Sequence, residues 1–175
     1  MINIITLKRV ADIGSPPITL SEAKAQAIVD FSDDDTLITQ LLTKATRAVE
    51  THCNISIIYQ RIELTADFSG QWQLPFGPIV GIESVQTPTG PTGSGPVGYT
   101  TDLTGWSVDG DIFNPATCNR MKIIYTAGDY CPADLKQVIL EVLVFMYENR
   151  GKTADAGKLE DILAKADSYK NIGWV

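Results

Sequence analysis

The segment Tyr125 to Arg150, YTAGDYCPADLKQVILEVLVFMYENR, runs from the end of a strand through a glycine turn into a long apolar helix. Tyr125-Thr126-Ala127 closes the strand, and Gly128 supplies a backbone free to turn. Cys131-Pro132 opens the helix, since proline is tolerated in a first turn whose N–H would lack a partner anyway. Asp134 then meets the positive end of the helix dipole. From Leu135 the apolar residues are Val138, Ile139, Leu140, Val142, Leu143, Val144, Phe145, Met146 and Tyr147. At about 100° per residue they circle most of the helix, interrupted by Lys136, Gln137 and Glu141. A helix apolar nearly all round is covered on several sides. In a chain of 175 residues, part of that cover is expected from another subunit.

Working outward, the preceding strand is Met121 to Tyr125, and before it lies a region of β character. Ile55, Ile57, Ile58, Tyr59, Ile62, Leu64 and Phe68 are β-branched or aromatic and partly alternate. Trp72, Leu74 and Phe76 make a short alternating run. Ile79 to Val85 reads as the next strand, and Gly81 inside it predicts a bulge or a close neighbour. Residues 88–98, rich in Gly and Pro, predict a hairpin loop that is either mobile or ordered against a partner. No Lys-Ser/Thr follows that loop and no helix opens after it, so a phosphate-binding reading does not apply. Tyr99 to Val108 and Ile112-Phe113 give further short strands, joined at Asp109-Gly110 by a tight turn.

Upstream of the β region are two helices. Thr19-Leu20-Ser21-Glu22 fits a capping box, in which the Thr hydroxyl accepts from the Glu22 amide and the Glu side chain reaches back. That helix is expected to reach about Val29, with Leu20, Ala23, Ala27 and Ile28 on one face. A second helix starts at Ser32 or Asp33 and keeps an amphipathic spacing through Leu37, Ile38, Leu41, Leu42, Ala45, Ala48 and Val49 to about Thr51. Residues 1–18 read as an extended arm, either an edge strand of this domain or a strand added to a neighbour. Past Arg150, a joint at 151–157 leads to a final helix from Lys158 to about Lys170. The tail carries Trp174, which docks either on its own core or on another chain.

Composition narrows the function classes. Net charge −7 argues against binding nucleic acid through a basic face. The start of the chain does not read as a signal peptide, and no apolar run reaches the roughly 20 residues that span a bilayer. Three cysteines at uneven spacing do not make a disulfide framework, which fits a reducing compartment. The chemistry is as sparse. His52 beside Cys53 reads as a helix-end pair or, less simply, as a nucleophile and base. Cys118 and Cys131 could join them as zinc ligands, but no Cys-x-x-Cys spacing is present. Asp33-Asp34-Asp35 reads as a helix cap or solvated corner; a calcium loop would need alternating ligands. We expect no catalytic, cofactor-binding or metal residue.

Several of these segments carry a family resemblance. A strand ending in Tyr125-Thr126-Ala127-Gly128, then Pro132 with Asp134-Leu135-Lys136, and a helix ending in Tyr147-Glu148-Asn149-Arg150 resemble the head–tail connector (adaptor) proteins of tailed bacteriophages. So do Ile18 to Lys24 at the first helix start, and Asp33 to Asp35 with Leu37-Ile38 at the second. The likeness takes in both ends of the chain and is loose from about Phe68 to Met121. It implies a structural, non-enzymatic subunit without cofactor. Copies of it, about a dozen, would form a ring beneath the capsid portal and around the DNA exit channel. Its partners would be itself, the portal protein and a tail or stopper protein, with viral DNA passing unbound and no membrane contact. It would sit in the virion neck after assembly in the host cytoplasm. Two alternatives stand beside it: another neck, tail-completion or stopper protein, and a small hydrolase or carbohydrate-binding module with Trp72, Trp106 and Tyr99 as a platform.

The expected fold is α+β: mostly a bundle of about four helices, with a small antiparallel sheet inserted between the second and third. One connector domain would span 1–175, with an arm at 1–18, a helical pair at 19–54, a β region at 55–126 holding the 88–98 loop, and C-terminal helices at 132–172. Leu140, Val144 and Tyr147, with Ile4 and Trp174, are the expected subunit-interface residues.

Overall fold

The computed structural model describes residues 3–89, 98–100, 103–116, 120–150 and 156–171. In chain order the elements are β1 (Asn3–Asp12), α1 (Leu20–Ala27), α2 (Asp35–Cys53), β2 (Gln60–Asp67), β3 (Trp72–Gln73), β4 (Ile79–Thr89) and β5 (Gly98–Thr100). Then follow β6 (Ser107–Asp109), β7 (Ile112–Asn114), β8 (Arg120–Ala127), α3 (Ala133–Glu148), α4 (Ala156–Ala164) and a single 3₁₀ turn, Asp167–Tyr169.

The fold is α+β, but it is not the mostly helical bundle expected from the sequence. A third of the described residues are strand. Five strands form one antiparallel sheet in the order β1-β2-β8-β4-β5, and β3-β7-β6 form a second. The sheet is larger than expected because its partners come from four distant segments. The segment read as an arm is its edge strand, paired with β2 of the same chain from Asn3↔Asp67 to Asp12↔Gln60.

Register explains how the sheet separates core from surface. Ile62, Leu64 and Ala66 of β2 stand opposite Tyr125, Ile123 and Met121 of β8, and all six are fully buried. Alternation puts Arg61, Glu63 and Asp67 on the other face. There they pair as Arg61–Glu83 (2.7 Å), Lys122–Glu63 (2.9 Å) and Arg120–Asp67 (2.8 Å). The apolar face packs on the small sheet, where Phe68, Trp72 and Phe113 meet edge to face at 5.8 and 5.5 Å. The register shifts at Ile5 and Val10 of β1 and at Val80 and Glu83 of β4. The bulge expected around Gly81 is therefore the one at Val80. A bulge leaves its extra residue without a cross-strand partner. Ile5, Val10 and Val80 accordingly point outward, 42%, 50% and 58% exposed.

The second core is helical. Helix α3 lies against α1, α2 and α4, and Leu135, Val138, Ile139, Val142 and Leu143 are buried among them. The remaining apolar side chains of α3 are half-buried, and none stands among the exposed large hydrophobics. Helices of the same chain thus cover Leu135, Val138, Ile139, Val142 and Leu143, while Leu140, Val144, Phe145 and Met146 keep a partly open side. The capping box forms as expected: the Glu22 amide donates to Thr19 Oγ1 at 3.2 Å, and the Thr19 amide donates back to the carboxylate at 2.7 Å. These bonds from Thr19 hold the Glu22 carboxyl below its ordinary range.

Two local outcomes differ from the sequence pattern. Helix α1 stops at Ala27, and Ile28, expected on its buried face, is its C-cap in the left-handed region (φ 55°, ψ 48°), 93% exposed. Val29 takes the core position instead. Helix α4 ends at Ala164 rather than near Lys170, and the chain continues in the 3₁₀ turn. Gly128 behaves as expected. Its φ is +113°, and a Cβ there would stand 2.2 Å from the Ile58 carbonyl oxygen.

Candidate functional site

The residues with nucleophilic or ligating chemistry are occupied by packing. His52 turns away from Cys53 and places Nε2 2.7 Å from Asp167 Oδ1. Cys53 is buried and donates to the Ala166 carbonyl at 3.4 Å, and burial pushes its thiol up to about 11. Burial likewise pushes the Cys131 thiol up to about 11. An activated nucleophile needs the opposite shift. Cys118 lies outside the described residues. Among the described residues no three His, Cys, Asp or Glu side chains gather as a metal site.

The aspartate run resolves into separate duties. Asp34 accepts from the Tyr147 hydroxyl and lies 3.8 Å from Arg150, and Asp35 pairs with Lys24 at 2.6 Å. The run therefore clamps the start of α2 to α3 and α1. Asp33 is exposed. Trp72 and Trp106 do not form an exposed platform with Tyr99. Both pack on the sheet core, Trp106 donating to the Leu103 carbonyl at 2.8 Å, while Tyr99 lies beside the Lys122 ammonium. The aromatic module anticipated as an alternative is not assembled.

The sequence reading missed a buried polar cluster at the junction of the two cores. Glu50 is fully buried near the end of α2. Its Oε1 accepts from the amides of Ile57 (2.8 Å) and Ile58 (3.2 Å), and its Oε2 accepts from Arg47 (2.6 Å). Arg47 also grips Asp12 at the end of β1. Arg9 reaches Glu50 at 3.5 Å and lies over the Phe76 ring at 4.3 Å. Burial lowers the Arg9 pKa, against the opposing charge of Glu50. Burial also acts to lower Arg47, but its bonds to Asp12 and Glu50 prevail and hold it above its ordinary value. Buried Gln60 and Ser56 complete the cluster, Gln60 donating to Ser56 Oγ at 2.7 Å. A signal existed: Thr46, Glu50 and Cys53 continue the buried stripe of α2 at i, i+4, i+7. Every carboxylate oxygen of Glu50 is engaged, so the cluster is a clamp between β1, α2 and the 55–60 segment.

What remains for contact is surface. Leu140 and Val144 are half-buried at the margin of the helical core, and Tyr147 is 8% exposed within it. Ile4 packs on the sheet core, apart from those three, and Trp174 lies outside the described residues. Large exposed apolar side chains stand elsewhere: along β1 and its exit (Ile5, Val10, Ile13), in the α1–α2 loop (Ile28, Phe31), and at Val80, Ile112 and Tyr130. Between α2 and α4 runs an open groove of about 710 Å³, with Ala48, Leu159 and Leu163 in its wall and Lys44 and His52 at its margin.

Four helices, a one-faced sheet and scattered outward apolar groups make up the described surface. Residues 17–87 match the family model of the phage gp6-like head-tail connector proteins. The match covers both N-terminal helices, β2 and most of β4, and it bears out the resemblance read from the sequence. Solved structures match the fold over nearly the whole chain. A chain from the neck of an empty gene transfer agent (GTA) particle, computed with C6 symmetry, superposes with a TM-score of 0.74 at 18% identity over 98% of both chains. A chain from the virion of a native GTA particle gives 0.72 at 17% identity, again over 98% of both. One from the neck of a native GTA particle, computed with C12 symmetry, gives 0.68 at 18% over the same share. At these identities the likeness establishes the fold. No curated protein matches the chain.

Proposed function

We propose that this chain is a structural subunit of the neck of a phage-type particle, where copies form a ring that joins the capsid portal to the tail. The observation that carries the reading is the end-to-end agreement with chains of a particle neck, joined to the connector-family match over 17–87. The C6 and C12 symmetry of those necks supports a closed ring, as a heterologous contact repeated by rotation requires. The subunit has no catalytic role, and its partners besides itself are the portal and a tail or stopper protein.

The electrostatics agree with a passage for DNA that does not bind it. On the charged face of the large sheet, Arg61, Lys122 and Arg120 are each held by a carboxylate. The chain as a whole carries −7. Affinity for duplex DNA comes from cations that neutralise phosphates, and among the described residues most Lys and Arg side chains are held in ion pairs. Electron microscopy and mass measurement of the purified protein, alone and mixed with its portal, test the reading. Annular particles or portal-bound rings are expected. A protein that stays monomeric at high concentration, and is not captured by portal, would refute it.

A further inference from the structure

We propose that the tip of the α1–α2 loop, Ile28 to Asp33, seats in the α2–α4 groove of the next copy and forms the repeating contact of the ring. The inference rests on the ring reading above and names the surfaces that would make it.

The tip is built against the interest of an isolated chain. Ile28 is β-branched, sits in the left-handed region that favours Gly or Asn, and is 93% exposed. Phe31, three residues on, is 48% exposed. The loop beneath them is held: Val29 is buried and its amide donates to the Lys24 carbonyl at 3.0 Å. A strained, apolar, outward knob on a fixed base is what an insertion contact needs. Its charge is also specific. Asp34 and Asp35 are engaged inside the subunit, whereas Asp30 and Asp33 are exposed and have no ion pair among the described residues.

The groove offers the complement. Ala48, Leu159 and Leu163 supply apolar wall, and about 710 Å³ lies within the range of pockets that take an inserted group. Lys44 on its margin is exposed and has no ion pair among the described residues. Of the other charged groups there, Arg47 is held by Asp12 and Glu50 and His52 by Asp167, while Glu160 is exposed on the α4 side. Asp30 or Asp33 against Lys44 would pair opposite charges that have no ion pair among the described residues, with the tip seated on the α2 side of the groove, where Lys44 stands. The tip precedes α2, and the groove begins at Thr43 of the same helix. From Asp35 that is about 12 Å along the axis at 1.5 Å per residue. Knob and groove are thus different surfaces, so the contact is heterologous and propagates by rotation.

Three variants of the full chain test it. Lys44→Glu is expected to weaken self-association at least tenfold, and adding Asp30→Lys and Asp33→Lys to restore it. Ile28→Asn is expected to lose the ring while the subunit remains folded. Phe31→Cys combined with Ala48→Cys, with Cys118 and Cys131 changed to Ser, is expected to give a ladder of covalent oligomers on oxidation, where either single cysteine gives none. If rings form normally in both Lys44→Glu and Ile28→Asn, the contact is wrong and the ring reading stands. Tip variants that lose portal capture yet still self-associate also overturn it, by assigning the knob to the portal. A wild-type chain that never associates, even on portal, removes both inferences.

Discussion

The carboxylate of Glu50 accepts a hydrogen bond from the backbone N–H of Ile57 at 2.8 Å, in a site with no access to solvent. The same side chain receives Arg47 and Arg9, so one acid joins the end of α2 to the start of the sheet. Truncation would strand two half-buried cations and two amide donors. Glu50→Ala is expected to cost about 3–5 kcal/mol, as for the loss of one partner of a buried pair. Urea unfolding measures it. A cost below about 1 kcal/mol would mean that water replaces the carboxylate.

Helix α3 provides a second test, because its buried face is covered within the chain. Leu143 is fully buried against the other helices. Leu143→Ala is expected to cost about 2–5 kcal/mol through lost contact and the cavity left behind. The loss should appear in dilute protein, independent of concentration. A cost that vanishes on dilution to monomer would move the cover of α3 back to a neighbouring subunit.

At Ile28 the expected sign is reversed. Asparagine tolerates the left-handed region and water far better than isoleucine does. Ile28→Asn is expected to raise subunit stability by about 1 kcal/mol. Thermal melts of the dissociated protein show whether it does; an unchanged or lowered midpoint would deny that the cap is strained.

Alkaline pH probes Cys53. Burial raises its thiol to about 11, so the folded state favours the protonated form. The stability linked to this group is complete below the unfolded value of about 8.5 and is lost as pH rises through about 11. Buried Tyr125 and half-buried Cys131 shift in the same direction, so the comparison must be with Cys53→Ala. The wild type should show the steeper decline between those pH values. The thiol should also resist maleimide at neutral pH in native protein and react at once in denaturant.

Local signals were readable in the chain. Thr19 and Glu22, Gly81, Asp109-Gly110, Gly128 and Pro132 each impose a geometry on their own neighbours, and each element they mark is present. The alternation of Ile62, Leu64 and Ala66 revealed a one-faced strand but not its partners. Ile28 misled because an apolar residue at helical spacing normally faces the core, whereas here the helix ended one residue before it.

The sequence by itself determined the capping box at Thr19, the turns at Asp109-Gly110 and Gly128, and that α3 is a core helix. It also carried the connector likeness. Only the tertiary structure decided that residues 3–12 complete a five-stranded sheet, that Glu50 holds the junction, and that the buried face of α3 is covered by its own chain. The reason is range. A cap or a turn acts over a few residues, whereas strand register and the fate of a buried charge depend on segments as far apart in sequence as Gln60 and Ala127, which meet only once the chain has folded.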